Sequence, residues 1–156
     1  MSQSRVELEK PWGNGRIVWT RDAAADDSDK TFTVPAGKVW WIQSLEMFLV
    51  TSATVGNRVM QVTITNGAAN IWTSRPAGAL AAGAIGSYYI TNTQEDANAR
   101  RDLSNDGQSS TVVQSDIWPA MMLLPAASVI RVRDYAAIDA AADDMTIVLY
   151  YIEYDA

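Results

Sequence analysis

The chain has 156 residues, 48% of them apolar, and it carries 12 basic and 18 acidic residues for a formal net charge of −6. This size suits one domain with its own core, and an acidic domain is a poor partner for nucleic-acid phosphates. The absence of Cys and His excludes disulfides, thiolate chemistry and the commonest general base. No apolar run reaches membrane-span length, and the first residues lack a signal-peptide core. We therefore expect a protein made in a cytoplasm, with neither nucleic acid nor membrane as its partner.

Residues 1–15 are polar and end in Pro-Trp-Gly-Asn-Gly, which predicts an extended arm before a single domain over residues 16–156. Trp12 anchors this arm either to its own domain or to a neighbouring subunit. The sequence Asp-Ala-Ala-Ala-Asp-Asp occurs at 22–27 and again at 139–144. Clustered carboxylates can bind calcium, but the spacing lacks the alternate ligands and the turn Gly of a calcium loop. A solvated turn or helix cap is therefore favoured, and we predict no metal site.

Residues 31–51 predict a short strand, a turn at Pro35-Ala36-Gly37 and a long strand from Val39 to Val50. Strict alternation places Trp40 and Phe48 on one face of this long strand and Trp41 on the other. Both faces are largely apolar, whereas a strand of a lone sheet should have one wet face. We expect a second sheet to cover one side and a loop, an arm or another subunit to cover the other.

Further strands are predicted over 16–21, 58–65, 70–73, 87–91, 129–134 and 145–154, and an interrupted one over 117–124. Asn66-Gly67 and Pro125-Ala126-Ala127 mark turns. The Gly-rich segment 76–86 is read as a connection and the polar segment 92–116 as a long loop. About eight short antiparallel strands without a convincing helix predict an all-β fold, a jelly-roll-like β-sandwich.

No catalytic constellation is evident, because the acidic residues lie mainly in loops and no phosphate-binding Gly motif is present. We therefore expect no enzyme and no cofactor. The six Trp residues are unusual, since Trp is enriched at interface hot spots and also stacks on sugar rings. Arg100-Arg101, the one basic pair, lies among acidic residues and most simply is solvated. The candidate partner-interface residues are Trp12, Trp19, Trp40, Phe48, Arg100, Arg101 and Trp118.

Three short segments carry a resemblance to a known group: Val-Pro-Ala-Gly-Lys-Val-Trp at 34–40, Thr-Val-Gly-Asn-Arg at 54–58, and Leu-Pro-Ala-Ala at 124–127 leading to 139–145. They resemble small virion proteins of bacteriophages, particularly the capsid cement (decoration) proteins of short-tailed phages. Over residues 31–155 this resemblance implies a jelly roll on the outer surface of the head that bridges major capsid proteins, often as a dimer or trimer. It brings no catalytic residues. The alternatives are a tail, baseplate or fibre component, and a carbohydrate-binding module.

Overall fold

A computed structural model describes residues 15–22, 28–75, 78–91, 112–117 and 122–156, with 112–117 described by its backbone alone. These residues form ten strands: β1 (Arg16–Asp22), β2 (Asp29–Thr33), β3 (Lys38–Val50), β4 (Met60–Asn66), β5 (Ala69–Ser74), β6 (Ile85–Thr91), β7 (Val112–Ile117), β8 (Leu123–Leu124), β9 (Ser128–Asp134) and β10 (Asp144–Asp155). Within these ranges there is no helix of the length and apolarity that a membrane crossing requires.

The strands form two sheets that face each other. The larger has the order β1-β10-β3-β6-β7, with β8 beside β3, and the smaller has the order β2-β9-β4-β5. Four antiparallel pairs are nested along the chain: β1 with β10, β2 with β9, β3 with β6 and β4 with β5. The chain therefore wraps as a two-stranded ribbon around one core, which is the jelly-roll arrangement. The prediction of an all-β jelly-roll-like sandwich is confirmed.

The nested ribbon has two additions that the sequence did not reveal. β7 falls at the end of the segment predicted as a polar loop, and it pairs with β6 in parallel rather than antiparallel orientation. β8 is only two residues long and occupies the end of the predicted interrupted strand. The expected arm and the domain boundary at residue 16 stay predictions, because residues 1–14 lie outside the described part.

The predicted turns are present at the strand ends. Pro35 O accepts a 3.2 Å backbone hydrogen bond that closes the first turn, where Gly37 has a φ of 70°. Pro125 O accepts a 3.1 Å bond in the second, where Ala127 has a φ of 66°. Gly67, in the β4–β5 hairpin, has a φ of 57°. Such positive φ values are easily adopted by Gly and are uncommon for Ala.

The core lies between the sheets and contains apolar side chains from both. The larger sheet supplies Trp40, Ile42, Leu45, Met47, Leu49, Tyr88, Ile90, Leu124, Met145, Ile147, Leu149 and Tyr151, and the smaller supplies Phe32, Met60, Val62, Ile64, Ile130 and Val132. The inward positions predicted from alternation in β4 and β9 are all fully buried. β10 lies between β1 and β3, as its two apolar faces predicted.

A β-bulge in β3 changes the assignment of its faces. Ile42 is opposite Tyr151 and Ser44 is opposite the preceding residue, Tyr150, so Gln43 is an extra residue in the pairing. A bulge of this kind shifts the side-chain alternation by one position. Strict alternation along the whole of β3 was therefore wrong.

The corrected alternation changes which side chains of β3 share a face. Trp40 and Ile42, before the bulge, point to the same core as Leu45 and Met47, after it. Trp41, which precedes the bulge, shares the outward face with Phe48, which follows it. Strict alternation therefore mixed core residues into both predicted faces of β3, which made both faces look apolar. After the bulge is taken into account, the outward face of β3 still carries the aromatic side chains of Trp41 and Phe48.

Candidate interaction surface on the larger sheet

The outward face of the smaller sheet is polar. Asp29, Arg133 and Gln61 form one cross-strand row, and the Gln61 side-chain oxygen accepts two hydrogen bonds from Arg133, of 3.0 and 2.9 Å. Thr31, Arg131 and Thr63 form the next row, and Arg131 makes an ion pair with the carboxylate of Asp29. This is the wet face expected of an antiparallel sheet with its other side on a core.

The outward face of the larger sheet is largely apolar, although it also carries Arg21, Ser44 and Glu46. One cross-strand row contains Ile17, Ile152, Trp41 and Leu123, from four adjacent strands. Because register partners project to the same side of a sheet, these four side chains form a continuous apolar band. Trp19 and Tyr150 are partners in the following row. The aromatic face is defined here as Ile17, Trp19, Trp41, Phe48, Leu123, Tyr150 and Ile152.

Part of the aromatic face is strongly exposed to solvent. The exposed fractions are 80% for Ile17, 63% for Trp19 and 36% for Leu123. These are three of the six large apolar side chains that are exposed in the described part of the chain, and all three lie on one side of one sheet. Single exposed apolar residues are normal, whereas a contiguous group marks an interaction surface.

The chain just before β1 is held to this face by a glycine–aromatic contact. A Cβ added to Gly15 would lie 2.4 Å from the ring of Tyr154, so the ring occupies the space that any other side chain at position 15 would need. An aromatic ring over a cross-strand glycine compensates for the packing that the glycine lacks. Gly15 and Tyr154 therefore continue the face at the start of β1.

Two of the predicted interface residues, Trp19 and Phe48, belong to the aromatic face. Trp40 does not: it is 5% exposed in the core, its ring stacks on Tyr151 at a centroid distance of 4.1 Å, and its Nε1 donates a 3.1 Å hydrogen bond to Glu153. The Gln43 bulge is the reason. The remaining predicted residues, Trp12, Arg100, Arg101 and Trp118, lie outside the described part of the chain.

Sequence reasoning missed Trp41, which is partly exposed on the outward face beside the buried Trp40. The available signal is the pair Gln43-Ser44, two consecutive polar residues in an otherwise apolar strand. An extra residue in one strand leaves one position unpaired, and polar side chains are suited to that position. If a bulge had been predicted at Gln43-Ser44, Trp41 and not Trp40 would have been assigned to the outward face.

The second Asp-Ala-Ala-Ala-Asp-Asp segment supports the fold through a buried ion pair. Arg58 and Asp143 are each fully buried, and the guanidinium donates to both carboxylate oxygens at 2.9 and 3.1 Å. The other N–H groups of Arg58 donate to Thr54 O (2.7 Å), Gly56 O (2.9 Å) and Ser52 Oγ (2.8 Å). All five guanidinium donors are thus satisfied, and the β3–β4 and β9–β10 loops are joined.

Asp139 completes this junction at the surface. Its carboxylate accepts hydrogen bonds from the hydroxyls of Thr54 (2.5 Å) and Ser52 (2.8 Å). These two bonds hold the pKa of Asp139 below its ordinary value of 3.8, since they favour the charged form. No group of three or more potential metal ligands occurs among residues 15–22, 28–75, 78–91 and 122–156. Asp143 is thus not the solvated turn residue that the sequence led us to expect: it is a buried carboxylate paired with Arg58.

No protein-family profile matches the chain, and no curated protein matches it either. Among solved structures, the chain is similar to an exo-β-agarase, at 13% identity over 93% of this chain and 23% of that one, with a TM-score of 0.34. It is also similar to a structure of infectious bursal disease virus Gt strain, at 12% identity over 91% of this chain and 33% of that one (TM-score 0.30).

A further similarity is to the disulfide-linked pili of Bacillus endospore appendages, at 11% identity over 92% of this chain and 91% of that one, with a TM-score of 0.25. The chain spans about a quarter of the length of the agarase chains, 23% of one and 24% of another. These low scores carry no conclusion about function.

Proposed function

We propose that this chain is a non-enzymatic structural subunit of a phage particle, a capsid cement protein that binds the outer surface of the head and bridges major capsid proteins. The observation that carries the proposal is the contrast between the two outward faces: one sheet presents side chains such as Arg131 and Thr31 to solvent, and the other presents the aromatic face. The sequence resemblance to cement proteins of short-tailed phages supports the same role. Binding to the assembled shell alone would stabilise that shell by mass action.

The aromatic face has the composition of an interface centre. Burying a strongly exposed side chain such as Ile17, which is 80% exposed, contributes about 1.5–3 kcal/mol, and aromatic side chains are typical hot-spot residues. A few such contacts can offset the free-energy cost of association. The net charge of −6 keeps the free subunit soluble despite this face.

A matched pair of double variants tests the surface. Leu123→Ser with Tyr150→Ser removes one aliphatic and one aromatic side chain from the aromatic face, and Ile71→Ser with Tyr135→Ser removes the same types from exposed positions elsewhere, where they are 46% and 49% exposed. We expect the first variant to lose co-sedimentation with heads of the encoding phage, and the second to retain it.

Wild-type protein should also raise the melting temperature of heads that lack it. Thermal unfolding of each free variant is the control for folding. Equal loss of binding by the two double variants would contradict the assignment of the surface. Electron microscopy of purified particles distinguishes the head from the alternative location in a tail, baseplate or fibre.

A second candidate, a carbohydrate-binding module, is favoured by one observation. Trp19 and Tyr150 are cross-strand partners on the solvent side, and exposed aromatic rings can stack on the apolar faces of sugars. A titration with oligosaccharides, followed by Trp fluorescence, tests this. A saturable change in a monomeric protein without affinity for phage particles would favour this candidate over the cement protein.

A further inference from the structure

β1 forms an edge of the larger sheet. It pairs with β10 along its whole length, from Arg16 to Asp22 in regular register, and its other side pairs with no strand among the described residues. An edge strand presents unpaired N–H and C=O groups, and proteins protect such edges with Pro, bulges, short length or an inward charge. β1 has seven residues, no Pro and no bulge, and its two core-side charges, Arg16 and Asp22, lie at its two ends rather than in the middle. It is therefore suited to pairing with another strand.

The sequence of β1 is complementary to itself when two copies run antiparallel. With Trp19 on a twofold axis, Arg16 lies opposite the partner's Asp22, and Asp22 lies opposite the partner's Arg16. Within the subunit Arg16 is 3.4 Å from Glu153 and Asp22 is 3.6 Å from Lys30, so the dimer would extend each of these ion pairs by one charge. Val18 meets the partner's Thr20 on the same face as these ion pairs. Opposite charges directly across a strand pair are stabilising, and a C2 interface repeats each of them twice.

Other registers lose this match. A slip of one residue would place the aromatic face of one copy on the core side of the other. A slip of two residues in one direction places Arg16 opposite Thr20, and in the other direction it places Asp22 opposite Val18. Neither retains an ion pair. The register centred on Trp19 is therefore favoured by both charge and facing.

We infer that β1 is a homodimer interface, in which the two copies pair through β1 in the register centred on Trp19. The two six-stranded sheets become one continuous sheet, and their aromatic faces become one surface with Trp19 beside its own copy at the centre. This inference does not rest on the proposed function, because the dimer forms in the free protein. For a protein that bridges neighbouring capsid subunits, two linked faces would add avidity.

Cysteine cross-linking tests the register, since the native chain has no Cys. In the Trp19→Cys variant the two sulfurs face each other across the axis, with the Cα atoms about 4.5–5.5 Å apart, within disulfide range. In Ile17→Cys the two Cα atoms are about 13 Å apart, which is four residues along the strand and too far for a disulfide. Ile71→Cys, on the edge strand of the smaller sheet, is the control for random collisions.

Under mild oxidation, Trp19→Cys should shift from the 17.0 kDa chain to twice that mass on a non-reducing gel, and the two other variants should not. Cross-linking of Ile17→Cys at the same rate, or of Trp19→Cys no faster than Ile71→Cys, would overturn the inference. The cross-linking results do not depend on shell binding, because shell binding is measured separately, with phage particles.

Charge variants give a second test that does not remove Trp19. Arg16→Asp places Asp opposite Asp at both ends of the pairing, and Asp22→Arg places Arg opposite Arg. Each variant alone should sediment as a monomer, whereas an equimolar mixture should form a heterodimer with two restored ion pairs. A mixture that stays monomeric, at a concentration where the wild-type protein is dimeric, would refute the register. A wild-type protein that stays monomeric would refute the dimer.

Discussion

The buried pair of Arg58 and Asp143 allows a quantitative prediction about stability. In Asp143→Asn the side-chain shape is kept, but the negative charge is lost and an amide N–H₂ must face a guanidinium that only donates. Oδ1 of Asp143 also accepts a 2.7 Å hydrogen bond from the backbone N–H of Ser52. The substitution therefore leaves a fully buried positive charge with only neutral partners.

The expected magnitude follows from the burial of both groups. Breaking a buried ion pair by removing one partner costs about 3–5 kcal/mol, and for a domain of this size each kcal/mol lowers Tm by about 2–4 °C, which gives a decrease of about 6–20 °C. The adjacent Asp144 is exposed, so Asp144→Asn should change stability by less than about 0.5 kcal/mol.

Urea unfolding at neutral pH, followed by Trp fluorescence, measures both free energies of unfolding. Circular dichroism on heating gives the two values of Tm. If Asp143→Asn is within about 1 kcal/mol of the wild type, the carbonyl oxygens of Thr54 and Gly56 are sufficient for Arg58, and the reasoning from an uncompensated charge is wrong.

Burial, and then the Asp134 carboxylate, raise the pKa of Tyr88 from 10.0 to about 12, so its contribution to stability falls as pH rises through that window. Its hydroxyl has no hydrogen-bond partner in the described part. In urea at neutral pH, Tyr88→Phe should therefore leave the free energy of unfolding unchanged or raise it by up to about 1 kcal/mol. The loss of stability at alkaline pH should be less steep in this variant. Because the pKa of Asp139 is lowered in the folded state, its charged form stabilises the fold above pH 3.8, and this stabilisation is lost as the pH falls through the folded-state pKa. Asp139→Asn should therefore make the decrease of Tm between about pH 5 and pH 3 less steep, and an unchanged decrease would contradict this. Gly56 has a φ of 146° and a Cβ there would lie 2.3 Å from Ile138, so Gly56→Ala should cost about 1–3 kcal/mol in urea unfolding, and more than Gly67→Ala, where nothing lies within 4 Å.

Local signals in the sequence predicted most of the jelly roll. Alternation identified β4 and β9, and Pro35, Asn66-Gly67 and Pro125 identified the turns, because both kinds of signal depend on neighbouring residues. β7 was missed because the residues of Val112–Ile117 do not alternate between apolar and polar, and half of them are polar. Its strand conformation depends on pairing with β6, and such tertiary context overrides local propensity.

The candidate site was harder to predict than the fold for a related reason. A single extra residue, Gln43, reverses the facing of every side chain on one side of it, so Trp40 and Trp41 exchanged roles. The role of Arg58 was also hidden, since its partner Asp143 is 85 residues away. Composition indicated correctly that exposed aromatic residues were to be expected, but not which of them.

The position of β10 has a consequence for synthesis of the chain on the ribosome. β10 follows all the other strands in the chain, yet it lies between β1 and β3, and Arg16 meets Glu153, 137 residues later. Until β10 leaves the exit tunnel, β1 has no strand to pair with and the larger sheet is divided. The nascent polypeptide can form the β4–β5 hairpin early, but closure of the sandwich must wait for β10, and a chain truncated before β10 would be a substrate for chaperones and proteases.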